Sequence, residues 1–172
     1  NSADLASWLK AELIQSDWRP VALEYATFHD FHVEPRKMQS PTEDAEKNVL
    51  SPPRDLVGLK SHPVWSVVDD GLDQSAQVLM FVGTRRSAQS EAKNLAKRVK
   101  KRLLKEDPER LEKLQTLSQT LTGRSQSNLA EQLAHCLASG VGFHHAGLTN
   151  AQRKDVEAAF KSGLLVALTA TP

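Results

Sequence analysis

Two hydrophobic periods alternate along the chain, and each assigns a type of element. In SADLASWLKAELI, Leu5, Trp8, Leu9 and Leu13 fall at helical spacing behind Asn1 or Ser2 as a cap, so a short amphipathic helix is expected. Pro20 breaks the pattern, because it disfavours helix at Arg19. Val21, Leu23 and Tyr25 then alternate with period two, the mark of a strand, and Phe28, Phe31 and Val33 are candidates for its hairpin partner. Residues 34–63 carry Pro35, Pro41, Pro52, Pro53 and Pro63 among many charges and are expected to form a surface loop or insertion. Val64 to Leu72 suits a short helix.

The second half is more regular. AQVLMFVGT holds an unbroken apolar run, Val78 to Val82, which predicts a strand buried on both faces. Ala88, Ala92, Leu95, Ala96, Val99 and Leu103 then form one stripe at 3.6-residue spacing, so a helix follows at once. Asp107-Pro108 ends it and opens another helix, with Leu111, Leu114, Leu117 and Leu121 inward and Gly123 as its stop. A third runs from about Ser127 to Ser139 with Gly140 after it. Val141-Gly142-Phe143 is a short strand candidate. Thr149 and Gln152 have capping-box spacing ahead of a helix with Val156, Ala159 and Phe160 inward and Gly163 at its end. Leu164 to Leu168 is a further buried strand. Recurring strand–turn–helix units predict a parallel α/β sheet with helices on both faces. Ligands of such sheets gather at the carboxyl ends of the strands. Three turns fall there: Gly83-Thr84-Arg85-Arg86, the loop after Phe143, and Thr169-Ala170-Thr171.

Charge sharpens this picture. The net charge of the 172 residues is only +1. Residues 85–105, however, hold nine Lys or Arg against Glu91 alone, whereas residues 1–84 hold seven against thirteen Asp or Glu. The basic block is either a phosphate-facing surface or the solvated face of a helix. No run of eighteen apolar residues occurs, so no membrane span is expected. The single cysteine, Cys136, is expected as a buried thiol, which with the absence of a signal peptide suits a reducing, cytoplasmic setting. The chain begins without Met and is expected to be a piece of a longer one.

The candidate chemistry lies in the three turns. Gly83-Thr84-Arg85-Arg86, between strand and helix, offers free amides, a hydroxyl and two guanidiniums to a phosphate. It equally suits a cap threonine with solvated arginines. His144 and His145 raise the question of a metal or an acid–base pair. Adjacent residues in extended chain point to opposite sides, and partner ligands are scarce, so neither is favoured. A positioning role is expected instead, one ring turned inward and the other outward, with Gly147 allowing a conformation other residues resist. Thr169 and Thr171 follow the last strand and by themselves suit ordinary strand threonines.

VLMFVGTRRSAQ, GVGFHHAGLTNAQRKDVEAAFKSG and LLVALTATP, in this order, resemble the second RecA-like domain of Ski2-type superfamily-2 helicases, above all the archaeal repair helicases of the Hjm group, relatives of the polymerase theta helicase domain. VLMFVGTRRSA looks like motif IV, FHHAGL with R-x-x-V-E-x-x-F like motif IVa, and LTATP like the opening of motif V. The resemblance implies that residues 1–20 end a first RecA-like domain and its linker. Residues 21–172 are then a second one, truncated within motif V and incomplete at the C-terminus. It implies that Thr84, Arg85, Arg86, His144, His145, Gly147, Thr169 and Thr171 line a groove for single-stranded or forked DNA. The parent would be an ATP-dependent 3′–5′ DNA helicase of repair and fork processing, using ATP and Mg²⁺. No G-x-x-x-x-G-K-[ST] or D-E-x-H sequence occurs, so no ATPase activity, catalytic residue or cofactor is expected of these residues alone. The missing first RecA-like domain and C-terminal domains would be its partners, and the truncated sheet edge is expected to favour weak self-association. A Ski2-type RNA helicase, a non-enzymatic binding module with this fold, and an α/β domain with an unrelated small-molecule site are the competing readings.

Overall fold

The computed structural model describes residues 2–14, 24–36, 51–58, 62–124 and 127–172. The strand expected at Val21 and Leu23, and most of the proline-rich segment, lie outside the described residues. The chain divides into two compact units, Asn1–His29 with Val33–Arg54, and Asp30–His32 with Asp55–Pro172.

The first unit begins with helix α1, Ser2–Leu9, which buries none of its residues. It is shorter than its apolar spacing predicts. Lys10 turns left-handed at φ 50°, and the amides of Lys10 and Ala11 donate back to Ser7 and Ala6. That is a Schellman stop without its usual glycine. Strands β1 (Tyr25–His29) and β2 (His32–Arg36) flank the pair Asp30-Phe31, whose φ values are both positive. Phe28 therefore belongs to the first strand of the hairpin, and the two-residue turn sets the register. The short strand β3, Arg54–Asp55, completes the order β1-β2-β3 inside the stretch expected as loop.

The second unit carries the parallel sheet. Its elements are α2 (Pro63–Asp73), β4 (Val78–Phe81), α3 (Arg85–Glu106), α4 (Pro108–Arg124), α5 (Asn128–Leu137), β5 (Val141–His144), α6 (Asn150–Lys161) and β6 (Ala167–Ala170). β6 lies between β4 and β5, parallel to both. Side chains alternate across the sheet, and each face has a helix. Thr169 reaches the backbone of Ala88 on α3, whereas a Cβ at its diagonal neighbour Gly142 would meet Val156 of α6. Helices thus lie on both faces, as expected of this fold class.

The α3 stripe of Ala88, Ala92, Leu95, Ala96, Val99 and Leu103 is buried, as the period predicts. Leu95, Val99 and Leu103 each contribute about 1.5–3 kcal/mol by leaving water. They share one core with Leu111, Leu114 and Leu121 of α4 and with Leu133, Cys136 and Leu137 of α5. Burial raises the Cys136 thiol to about 11, which keeps it protonated and inert. α4 runs through Gly123 rather than stopping there. Gly163 does close α6, at φ 76°, with amides 163 and 164 bonding the carbonyls of Phe160 and Ala159.

β4 departs from expectation. Val78 and Met80 face inward, but Leu79 is 48% and Phe81 64% exposed. The strand is buried on one face only. β4 is an edge of this sheet, and α6, which covers the corresponding face, packs against β5 at the opposite edge. An apolar run records that side chains favour cover; it does not supply the covering element.

Candidate nucleic-acid interface

All three strands are parallel and in register, so their carboxyl ends share one edge. Phe81 and His144 both stand opposite Ala170. The turns after β4, β5 and β6 therefore open on the same side. Backbone bonds tie them: Val82 donates to Ala170 and Thr171 donates to His144.

Thr84 is the N-cap of α3. Its extended backbone (φ −137°, ψ 153°) lets the hydroxyl accept from the Ser87 amide at 3.0 Å, and its carbonyl accepts from Ala88. This leaves the amides of Arg85 and Arg86 without an acceptor among the described residues. Both lie in the first turn, where the helix dipole is positive. Both arginine side chains are exposed, as is Thr84. Two unfilled amides and two guanidiniums thus occupy one corner of the carboxyl edge.

The histidines diverge, as extended geometry requires. His144, at the end of β5, places Nε2 2.9 Å from Oε1 of Glu157 on α6. His145 turns inward and is 2% exposed. Its ring stacks on Phe143, with centroids 5.5 Å apart and planes 9° from parallel. Nδ1 accepts the Gly147 amide at 3.0 Å. The neutral ring therefore carries its proton on Nε2. The Gln89 amide group stands 3.0 Å from that nitrogen, and the pair is satisfied with the amide oxygen turned to the ring. Burial first, then the charge of Arg85, then His144, hold the His145 pKa below its ordinary value. His145 is a neutral strut, with neither nitrogen free for a ligand.

Gly147 serves a purpose different from the one its residue type suggests. It is not among the residues with positive φ. What it supplies is close approach: a Cβ there would lie 2.9 Å from His145 Nδ1 and 3.0 Å from Cε1. The same point is 3.9 Å from Cδ of Arg85, so a side chain there would also reach the arginine stem. Leu148 is buried behind it, and Thr149 and Gln152 form the expected capping box, each side chain bonding the other's amide.

Thr169 and Thr171 also part company. Thr169 is fully buried, and its hydroxyl donates to the Ala88 carbonyl at 2.8 Å, with Gly142 O at 3.3 Å. It clamps β6 to the start of α3 and does not reach the carboxyl edge. Thr171 is half-buried at the edge itself. The structure thus gathers Thr84, Arg85, Arg86, Gly147 and Thr171, with His145 beneath them, His144 turned toward α6 and Thr169 in the frame. Sequence reasoning missed Gln89 and Glu157, the partners of the two histidines. The one available signal was that Gln89 lies four residues after Arg85, on the same side of α3.

Among the described residues, no group of three or more His, Cys, Asp or Glu could hold a metal ion, and no helix is long and apolar enough to cross a membrane. A parallel α/β sheet of this kind, with polar turns collected at its carboxyl edge, is compatible with a RecA-like domain. No family model matches the chain. Its whole length is nevertheless similar to a segment of archaeal proteins described as ATP-dependent DNA helicase Hel308. Identity is 37% to that of Thermococcus kodakarensis, 35% to that of Pyrococcus horikoshii and 31% to that of Methanocella arvoryzae, each match covering 100% of this chain. The chain spans only 13%, 21% and 21% of those relatives. The helicase resemblance carried by the three motifs therefore extends over all 172 residues.

Proposed function

We propose that this chain is a segment of an ATP-dependent DNA helicase and forms one wall of its single-strand groove. On this reading residues from about 21 onward are the second RecA-like domain. A strand crosses the carboxyl edge of the β4–β6–β5 sheet and is held by its phosphates. Arg85 and Arg86 supply charge-assisted contacts, their amides and Thr84 supply fixed donors, and the turns at Gly147 and Thr171 complete the wall. His145 keeps the wall in shape. ATP and Mg²⁺ would be handled by residues outside these 172, which contain no phosphate-cradling G-x-x-x-x-G-K-[ST] loop.

The observation that carries the reading is the pair of unfilled amides beside two exposed arginines at the shared strand ends. The full-length similarity to DNA helicases supports it. The test is titration of a fluorescent dT oligonucleotide with the chain at several KCl concentrations. Arg85→Ala should weaken binding and lower the slope of log K against log salt by about 0.7, the value for one single-strand phosphate. An unchanged slope removes Arg85 from the groove.

A further inference from the structure

From the face of α3 opposite its buried stripe, we infer a second track for nucleic acid, one that takes the phosphate backbone of a duplex adjoining the single strand. This rests on the groove reading above, because the track starts from the groove. On a helix of 3.6 residues per turn, Arg86, Ser90, Lys93, Lys97, Lys100, Lys101 and Leu104 share one face. All are exposed. Arg86 also stands at the carboxyl edge, so the face is continuous with that corner. From residue 86 to residue 101 it runs about 22 Å at 1.5 Å per residue.

The sign of this face is unmixed. Its charges are all basic, and none of its lysines is in an ion pair among the described residues. Arg102, on another side of the same helix, shows the contrast: it bonds Asp69, Asp73 and Glu106 together and is spoken for by the fold. Lys97 has like-charge neighbours at Lys93, Lys100 and Lys101, each opposing the helix by about 0.2–0.5 kcal/mol. Among the described residues no counter-charge offsets this, and an external polyanion would.

The chemistry of the face selects its occupant. It offers Arg86, four lysines and a serine, with Leu104 at its far end and no aromatic ring on which an unpaired base could stack. A duplex turns its phosphates outward, one per about 3.4 Å of each strand, so 22 Å matches about six of them. Flexible point charges suit that backbone and carry no sequence information.

The test combines Lys93→Gln, Lys97→Gln, Lys100→Gln and Lys101→Gln in the full chain. All four positions are exposed, so a circular-dichroism melt should match the parent or rise slightly. Two probes are titrated against KCl: a dT strand, and a duplex carrying the same dT strand as a tail. On the tailed duplex the variant should lose tenfold or more in affinity at low salt, and up to about 3.6 from the salt slope, four contacts at about 0.9 each. On the bare strand it should stay within about twofold. An unchanged slope on the tailed duplex overturns the track and returns these lysines to solvent. Equal losses on both probes overturn the duplex assignment. Arg85→Ala separates the two readings: if it changes neither probe while the lysine variant weakens the tailed duplex, the groove reading falls and the lysine face stands alone.

Discussion

Gly147→Ala tests the support beneath the carboxyl edge. The added methyl carbon would sit 2.9 Å from His145 Nδ1 and 3.0 Å from Cε1, where about 3.5 Å or more is comfortable. About 0.6 Å must be recovered. The imidazole cannot easily withdraw, because it is stacked on Phe143 and held by Gln89. The turn must move instead, and its amide bond to Nδ1 then lengthens from 3.0 Å. Overpacking costs about 1–3 kcal/mol and the weakened bond about 1 more, so we expect a loss of about 3 kcal/mol. At about 2–4 °C per kcal/mol for a chain of this length, Tm should fall by about 6–12 °C in a circular-dichroism melt. The same substitution in a His145→Ala background isolates the cause. With the ring gone the methyl has room, and Gly147→Ala should cost less than about 1 kcal/mol, a coupling of about 2 kcal/mol. A Tm within about 1 °C of the parent, or equal costs in both backgrounds, would refute the argument from close approach.

Thr169→Val keeps the shape of a buried side chain and deletes its bond to Ala88; it should cost about 1 kcal/mol, or 2–4 °C in Tm, and leave the salt slope of strand binding unchanged. A lower slope would make Thr169 a phosphate contact after all. The depressed pKa of His145 predicts a stability that depends on pH. Above about pH 6.5 the ring is neutral both folded and unfolded; below it the unfolded chain gains a proton that the folded ring, buried and facing Arg85 and His144, resists, so stability falls as pH drops until the folded pKa is passed. Melts of the parent and His145→Gln at pH 7.5 and 5.5 should differ, with a smaller loss in the variant. An equal loss in both would remove His145 as the source.

What the sequence disclosed depended on whether the cause lay nearby along the chain. The α3 stripe and the Thr149–Gln152 capping box are local, and both appear where spacing puts them. Gly163 stops α6 for the local reason that a left-handed residue is needed there. The exposed face of β4 was not legible, because Leu79 and Phe81 look the same in sequence whether covered or not. Nor was the inward turn of His145 rather than His144. That choice is made by Gln89, Phe143 and Gly147 around one ring and by Glu157 around the other, and Gln89 is 56 residues away. Gly147 invited the usual account of a permissive backbone, whereas the contact that excludes a side chain is with an imidazole placed by the tertiary fold.

The arrangement separates support from charge, and the separation has a consequence for binding. Were His145 protonated it would lose its bond from Gly147, since Nδ1 could no longer accept, and it would add positive charge beside Arg85. Kept neutral, it spends both nitrogens on two elements at the carboxyl edge, Gln89 on α3 and Gly147 on the loop after β5. A side chain at position 147 would come within 3.9 Å of Arg85 Cδ, so the loop that the ring holds lies close to the arginine stem. On the proposed reading, a stem confined by that loop would have less rotamer freedom to lose on meeting a phosphate, and that loss is about 0.5–1.5 kcal/mol for a long side chain. On the proposed groove reading, His145 would assist strand binding through preorganisation, by holding the loop beside Arg85, and not through a contact of its own.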